Sequence, residues 1–101
     1  MTNIYRLYIG LSRVDQQEPA HGDRVVSWLA SHLEAFTVVA ATGFFQGVKE
    51  EALVVTIANS DRQLVVDLAQ RLRAHLGQDG IGLEMVGAYQ RITAEATGDQ
   101  S

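Results

Sequence analysis

The stretch Ala52-Leu53-Val54-Val55-Thr56-Ile57-Ala58, running through Asn59-Ser60-Asp61-Arg62-Gln63 into Leu64-Val65-Val66-Asp67-Leu68, decides the fold. Residues 52–58 are apolar at nearly every position, as in a central strand covered on both faces. Ser60 to Gln63 has the spacing of a capping box. Beyond it, Leu64, Val65, Leu68, Leu72 and Leu76 recur along one helical face, and Gly77 is placed to end the helix. A strand therefore feeds directly into an amphipathic helix.

Working outward, residues 36–45 are rich in β-branched and aromatic side chains and read as a strand. Gln46 to Glu51 is the short polar connection between this strand and the central one. Upstream, Asp23 can cap a helix over 24–35, with Val25, Leu29, His32, Leu33 and Phe36 as its inner stripe. Ser12 to Gly22 is polar, contains the single proline, and reads as a loop. In the first segment Tyr5, Leu7, Ile9 and Leu11 alternate, giving a strand over 4–11. Downstream, Gln78 to Gly82 is a glycine-punctuated loop and 83–92 is the last strand.

The order β-α-β-β-α-β predicts an α+β, ferredoxin-like sandwich: a four-stranded antiparallel sheet with two helices on one face. At 101 residues there is room for one domain, expected over 1–96, with a polar tail over 97–101. The second face of the sheet has no helix to cover it, which predicts packing between copies of the chain.

Charge and composition remove several functions. The formal net charge is −4, so there is no basic excess for nucleic-acid binding. Lys49 is the only lysine; the other basic residues are arginines, suited to forked contacts with carboxylate or phosphate. There is no cysteine, which excludes disulfides, thiolate catalysis and sulfur-ligated zinc. No signal peptide and no membrane span are visible, giving a cytoplasmic expectation.

No catalytic constellation stands out. His21, His32 and His75 are not paired with other ligands at a metal spacing, and no serine sits in a nucleophile elbow. Glu50-Glu51 is open to two readings, a catalytic or metal-binding pair and a solvated loop between strands; the second is the expectation. Two glycine-bracketed segments carry more information. Gly43 and Gly47 flank Phe44-Phe45-Gln46, and Gly77, Gly80 and Gly82 flank the loop into the last strand. Glycines allow close backbone approach to an anion, and they also serve ordinary turns. Arg91 could complete an anion site or stand alone on the surface.

In that order, these segments resemble the PII signalling proteins. Residues 38–47 resemble the end of the second strand and the T-loop base of that family, Gly77-Gln78-Asp79-Gly80-Ile81 its B-loop, and Gln90-Arg91-Ile92-Thr93-Ala94-Glu95 its C-terminal arginine segment. The resemblance spans about residues 36 to 96 and is most like the PII-like proteins associated with carboxysomes and bicarbonate transport. It implies a non-enzymatic homotrimer that senses ADP or AMP, together with bicarbonate, in inorganic-carbon regulation. It also implies a protein partner such as a bicarbonate transporter or carboxysome component. Carried over, Gly43, Phe44, Phe45 and Gln46 would line the adenine, Ile57 would wall it, Gly77 and Gly80 would give amides to phosphate, and Arg91, or Gln90 one place earlier, would face them. No catalytic or metal residue follows from it. The T-loop is cut short here and the B-loop lysine is missing, with Ile81 near its place, which favours ADP or AMP over a triphosphate. Two other readings stay open: a CutA-like trimer, and a dimeric α+β barrel enzyme of the monooxygenase type.

Overall fold

Six elements follow one another in the computed structural model, which describes residues 2–11 and 20–94. They are β1 (Asn3–Gly10), α1 (Ala20–Ala30), β2 (Thr37–Phe45), β3 (Val48–Asn59), α2 (Arg62–Leu76) and β4 (Gly82–Ala88). The strands form one antiparallel sheet in the order β2-β3-β1-β4. This is the α+β, ferredoxin-like arrangement that the element order predicts.

One face of the sheet makes the core. Tyr5, Leu7 and Ile9 stand opposite Ile57, Val55 and Leu53, and all six are buried. Val25 and Leu29 of α1, and Val65, Leu68, Ala69 and Leu72 of α2, close over them, so both helices lie on this face. Each fully buried aliphatic side chain contributes about 1.5–3 kcal/mol, which for a chain of this size ties the whole fold to this one layer. The other face carries Ile4, Arg6, Tyr8 and Gly10 from β1 and Glu50, Ala52, Val54 and Thr56 from β3. No described helix covers it. The central strand is therefore buried on one face, not on both.

The helix ends follow local chemistry. Asp61, not Ser60, caps α2: its Oδ1 accepts from the amides of Gln63 at 3.0 Å and Leu64 at 3.3 Å. At the other end Gly77 is left-handed at φ 68°, and the amides of Gly77 and Gln78 bond the carbonyls of Ala74 and Arg73. Helix α1 ends five residues before the expected 35. The Ser31 hydroxyl donates to the Trp28 carbonyl at 2.8 Å, and the amides of His32 and Leu33 both turn onto the Leu29 carbonyl. His32 is thus exposed and stacks on Trp28 with ring centroids 3.9 Å apart.

The largest departure lies between β2 and β3. The polar connection expected over Gln46 to Glu51 is a two-residue turn. Gln46 at φ 52° and Gly47 at φ 78° join strands paired up to Phe45 and Val48. Both central residues have positive φ, the type I′ pattern whose twist suits a hairpin. Glu50 and Glu51 are therefore strand residues. β4 ends at Ala88, four residues before the expected 92, and the Tyr89 amide bonds the Thr2 carbonyl at 2.9 Å. Most of the loop expected over 12–22 and the tail boundary at 96/97 lie outside the described residues.

Candidate functional site

The antiparallel order brings four chain segments to one end of the sheet. They are the end of β1, the start of β3, the α2–β4 loop and the start of β4. Between them lies a cleft of about 760 Å³ lined by Tyr8, Gly10, Leu11, Glu50, Leu76 and residues 77–82.

Two glycines make the room. A Cβ on Gly10 would come within 2.5 Å of Glu50 Oε2, so the Glu50 carboxylate lies over a position that must stay small. A Cβ on Gly82 would lie 3.3 Å from the Cβ of Tyr8 and 3.6 Å from its Cδ1, so the tyrosine leans across β4 there. The phenol donates to Glu84 Oε1 at 2.5 Å, and Arg6 reaches the same oxygen at 3.9 Å. Tyr8 thus turns one way from β1 and Glu50 lies on the other side, with the Gly10 backbone between them.

Glu50 is half-buried and makes no hydrogen bond or ion pair with a described residue. Asp79 adds a second acidic residue to the wall, and among the described residues neither lysine nor arginine lines the cleft. The loop is anchored from behind. Gln78 Nε2 donates to the Gly10 carbonyl at 2.6 Å, and Arg73 donates to the Gln78 carbonyl at 3.0 Å. Gln78 Oε1 is buried and has no partner among the described residues.

The residues expected at a ligand site are divided by this geometry. Gly77 and Gly80 line the cleft. Gly43 stands opposite Glu50 in the β2–β3 pairing, at the same end of the sheet but one strand further out. Phe44, 71% exposed, and Gln46 lie beyond it toward the hairpin tip; the side chain of Phe45 lies outside what the structure describes. Ile57 is 2% exposed and belongs to the core under the helices, so it offers no wall to a ligand at the cleft. Gln90 and Arg91 follow the far end of β4, where the chain runs beside Thr2. Within one chain they are separated from Gly77 and Gly80 by the length of that strand.

Sequence reasoning missed Tyr8 and Gly10, took Gln78 and Asp79 only as part of a glycine-bracketed loop without roles of their own, and set Glu50 aside as a loop residue. The signal for Glu50 was the Gln46-Gly47 pair between two apolar strands, which marks a tight hairpin and moves Glu50 into a strand. Elsewhere, a shallow cavity of about 630 Å³ runs along the outer face of α2, but Gln63 and Asp67 in it already bond each other at 3.0 Å. Among the described residues no three His, Asp or Glu side chains are grouped to hold a metal ion, and no helix is long and apolar enough to cross a membrane.

No family model matches the chain, and no curated protein matches it. A phage SAM lyase solved in its apo state shares the fold, with a TM-score of 0.61 and 20% identity over 83% of this chain and 78% of that one. This likeness corrects one expectation. A non-enzymatic role was read from the sequence, whereas the architecture is shared with an enzyme.

Proposed function

We propose that this chain is an enzyme acting on an adenosine-bearing small molecule that carries a positive charge, bound in the cleft between β1 and the α2–β4 loop. The observation that carries this reading is Glu50: a half-buried carboxylate over Gly10, with no partner among the described residues, in a cleft whose described lining holds a second acidic residue and neither lysine nor arginine.

Two lines of support converge on adenosine. The resemblance to PII proteins implies an adenine ligand at the glycine-bracketed loop that lines the cleft. The phage SAM lyase of the same fold is named for S-adenosylmethionine, an adenosine whose sulfur is a sulfonium cation. The two ligands differ in charge, and the cleft favours one sign. A unit charge about 4 Å from a carboxylate near a protein surface feels roughly 4 kcal/mol, attractive or repulsive by sign. ADP, AMP and bicarbonate are anions and would meet Glu50 and Asp79 with no arginine or lysine among the described residues of the wall. A sulfonium or ammonium centre would meet complementary charge.

Glu50 can also do chemistry. A carboxylate beside the carbon β to a sulfonium, one removed from the carbon that bears sulfur, can take its proton as general base. The C–H electron pair then forms a double bond while the C–S bond breaks and sulfur leaves as a neutral thioether.

Calorimetric titration of SAM and of ADP into the native chain and into Glu50→Gln tests the reading. SAM should bind the native chain, and Glu50→Gln should weaken it about tenfold. ADP binding more tightly than SAM would overturn it.

The homotrimer expected from the sequence rests on the same sheet. Its open face carries Ile4, Ala52 and Val54 with Val39, 54% exposed, on the neighbouring strand, beside Arg6, Tyr8 and Glu50. We propose that this face packs against copies of the chain. Sedimentation that gives a monomer at micromolar concentration would rule this out.

A further inference from the structure

Glu84 lies outside the cleft, on the open face of β4 opposite Arg6. Its carboxylate accepts the Tyr8 phenol at 2.5 Å. A tyrosine on a strand has several staggered positions open to it. This hydrogen bond to a carboxylate selects one of them. In the selected position the side chain leans over Gly82 and away from Gly10. The floor of the cleft stays open for Glu50 and a ligand. Arg6, 3.9 Å from the same oxygen, adds a positive charge beside the carboxylate.

The bond also decides what Tyr8 offers. Its hydroxyl is committed to Glu84 outside the cleft, so what Tyr8 offers the cleft is its aromatic ring. An aromatic ring suits a cation, which its face attracts. We infer that Glu84 is a positioning residue, which holds Tyr8 as the aromatic wall of a cation site completed by Glu50. The inference rests on the cationic adenosine reading above and adds the device that selects the charge.

The test compares SAM with S-adenosylhomocysteine, which lacks the methyl group and the sulfonium charge. Dissociation constants are measured for the native chain, Glu84→Ala, Glu84→Gln, Tyr8→Phe and the Tyr8→Phe/Glu84→Ala double variant, with melting temperatures alongside. Glu84→Ala should weaken SAM about tenfold and S-adenosylhomocysteine no more than about twofold. Glu84→Gln still accepts from the phenol and should stay within about threefold of native. Tyr8→Phe should match Glu84→Ala, and the double variant should be no worse than either, since both singles break one bond.

Equal loss of both ligands in step with melting temperature would reduce Glu84 to a structural role and overturn the inference. So would unchanged SAM binding in Glu84→Ala. A native chain that binds neither ligand overturns the cationic reading and this inference together. A native chain that prefers SAM, with indifferent Glu84 variants, overturns this inference alone.

Discussion

Glu50 and Gly10 occupy one space: the carboxylate Oε2 lies 2.5 Å from where a methyl on Gly10 would stand. Two neighbouring strands thus share a position, with β3 supplying the side chain and β1 the vacancy for it. Gly10 is not among the residues with positive φ, so alanine fits the backbone there. Gly10→Ala must push aside a flexible carboxylate rather than backbone, so stability should change by less than about 1 kcal/mol. The carboxylate itself must move. SAM binding should weaken by about threefold to tenfold in a calorimetric titration, with a melting temperature within a few degrees of native. A large fall in melting temperature with unchanged binding would show that Glu50 is packing and not a ligand group.

Gly77 sets the loop that forms the opposite wall. It sits at φ 68°, where an L side chain is strained, and the amide after it bonds the Arg73 carbonyl at 3.0 Å. Gly77→Ala should cost about 1 kcal/mol in urea unfolding. Because Gln78 ties the same loop to the Gly10 carbonyl, the variant should also speed hydrogen exchange of the amides from 78 to 82. Unaltered exchange would show that the side-chain tie alone holds the loop.

Much of this fold was legible because burial leaves a period. Tyr5, Leu7 and Ile9 alternate, and Val65, Leu68 and Leu72 recur at helical spacing; all are core residues. Such patterns follow from one buried face and need no tertiary knowledge. Boundaries set by single hydrogen bonds were less visible. The end of α1 depends on the Ser31 hydroxyl reaching the Trp28 carbonyl, and no periodicity announces that. The site was mostly hidden for a related reason. Tyr8, Gly10, Glu50 and Gln78 come from three separate segments that meet only through strand order and register. Gly77 and Gly80 were visible because glycine has a local signature. Their meaning depended on the acidic neighbours brought by the fold.

The open sheet face gives a prediction about assembly. Val39 is 54% exposed and stands opposite Val54. An arginine there costs little in a solitary chain, because the side chain reaches water. In a sheet-to-sheet trimer it would bury a charge without a partner. Val39→Arg should therefore remain folded by circular dichroism and sediment as a monomer. A variant that keeps the native mass would place the interface elsewhere. Leu7→Ala serves as the contrast: it opens a cavity in the core and should cost about 2–5 kcal/mol whatever the oligomeric state.

The turn between β2 and β3 separates two accounts of Gln46. The resemblance to PII proteins gives Gln46 a place beside an adenine. In the structure it holds φ 52° in a two-residue turn, a conformation glutamine adopts reluctantly and asparagine adopts well. Gln46→Asn should therefore raise stability by roughly 0.5 kcal/mol, read as a small rise in melting temperature. Its effect on binding is the informative part. Gln46 is absent from the lining of the cleft under Glu50 and Tyr8, so SAM affinity should be unchanged. If the side chain reads an adenine from the hairpin tip, shortening it by one methylene should weaken every adenosine ligand together, charged or neutral. A uniform loss would move the ligand outward along the hairpin, toward Phe44, and away from Glu50.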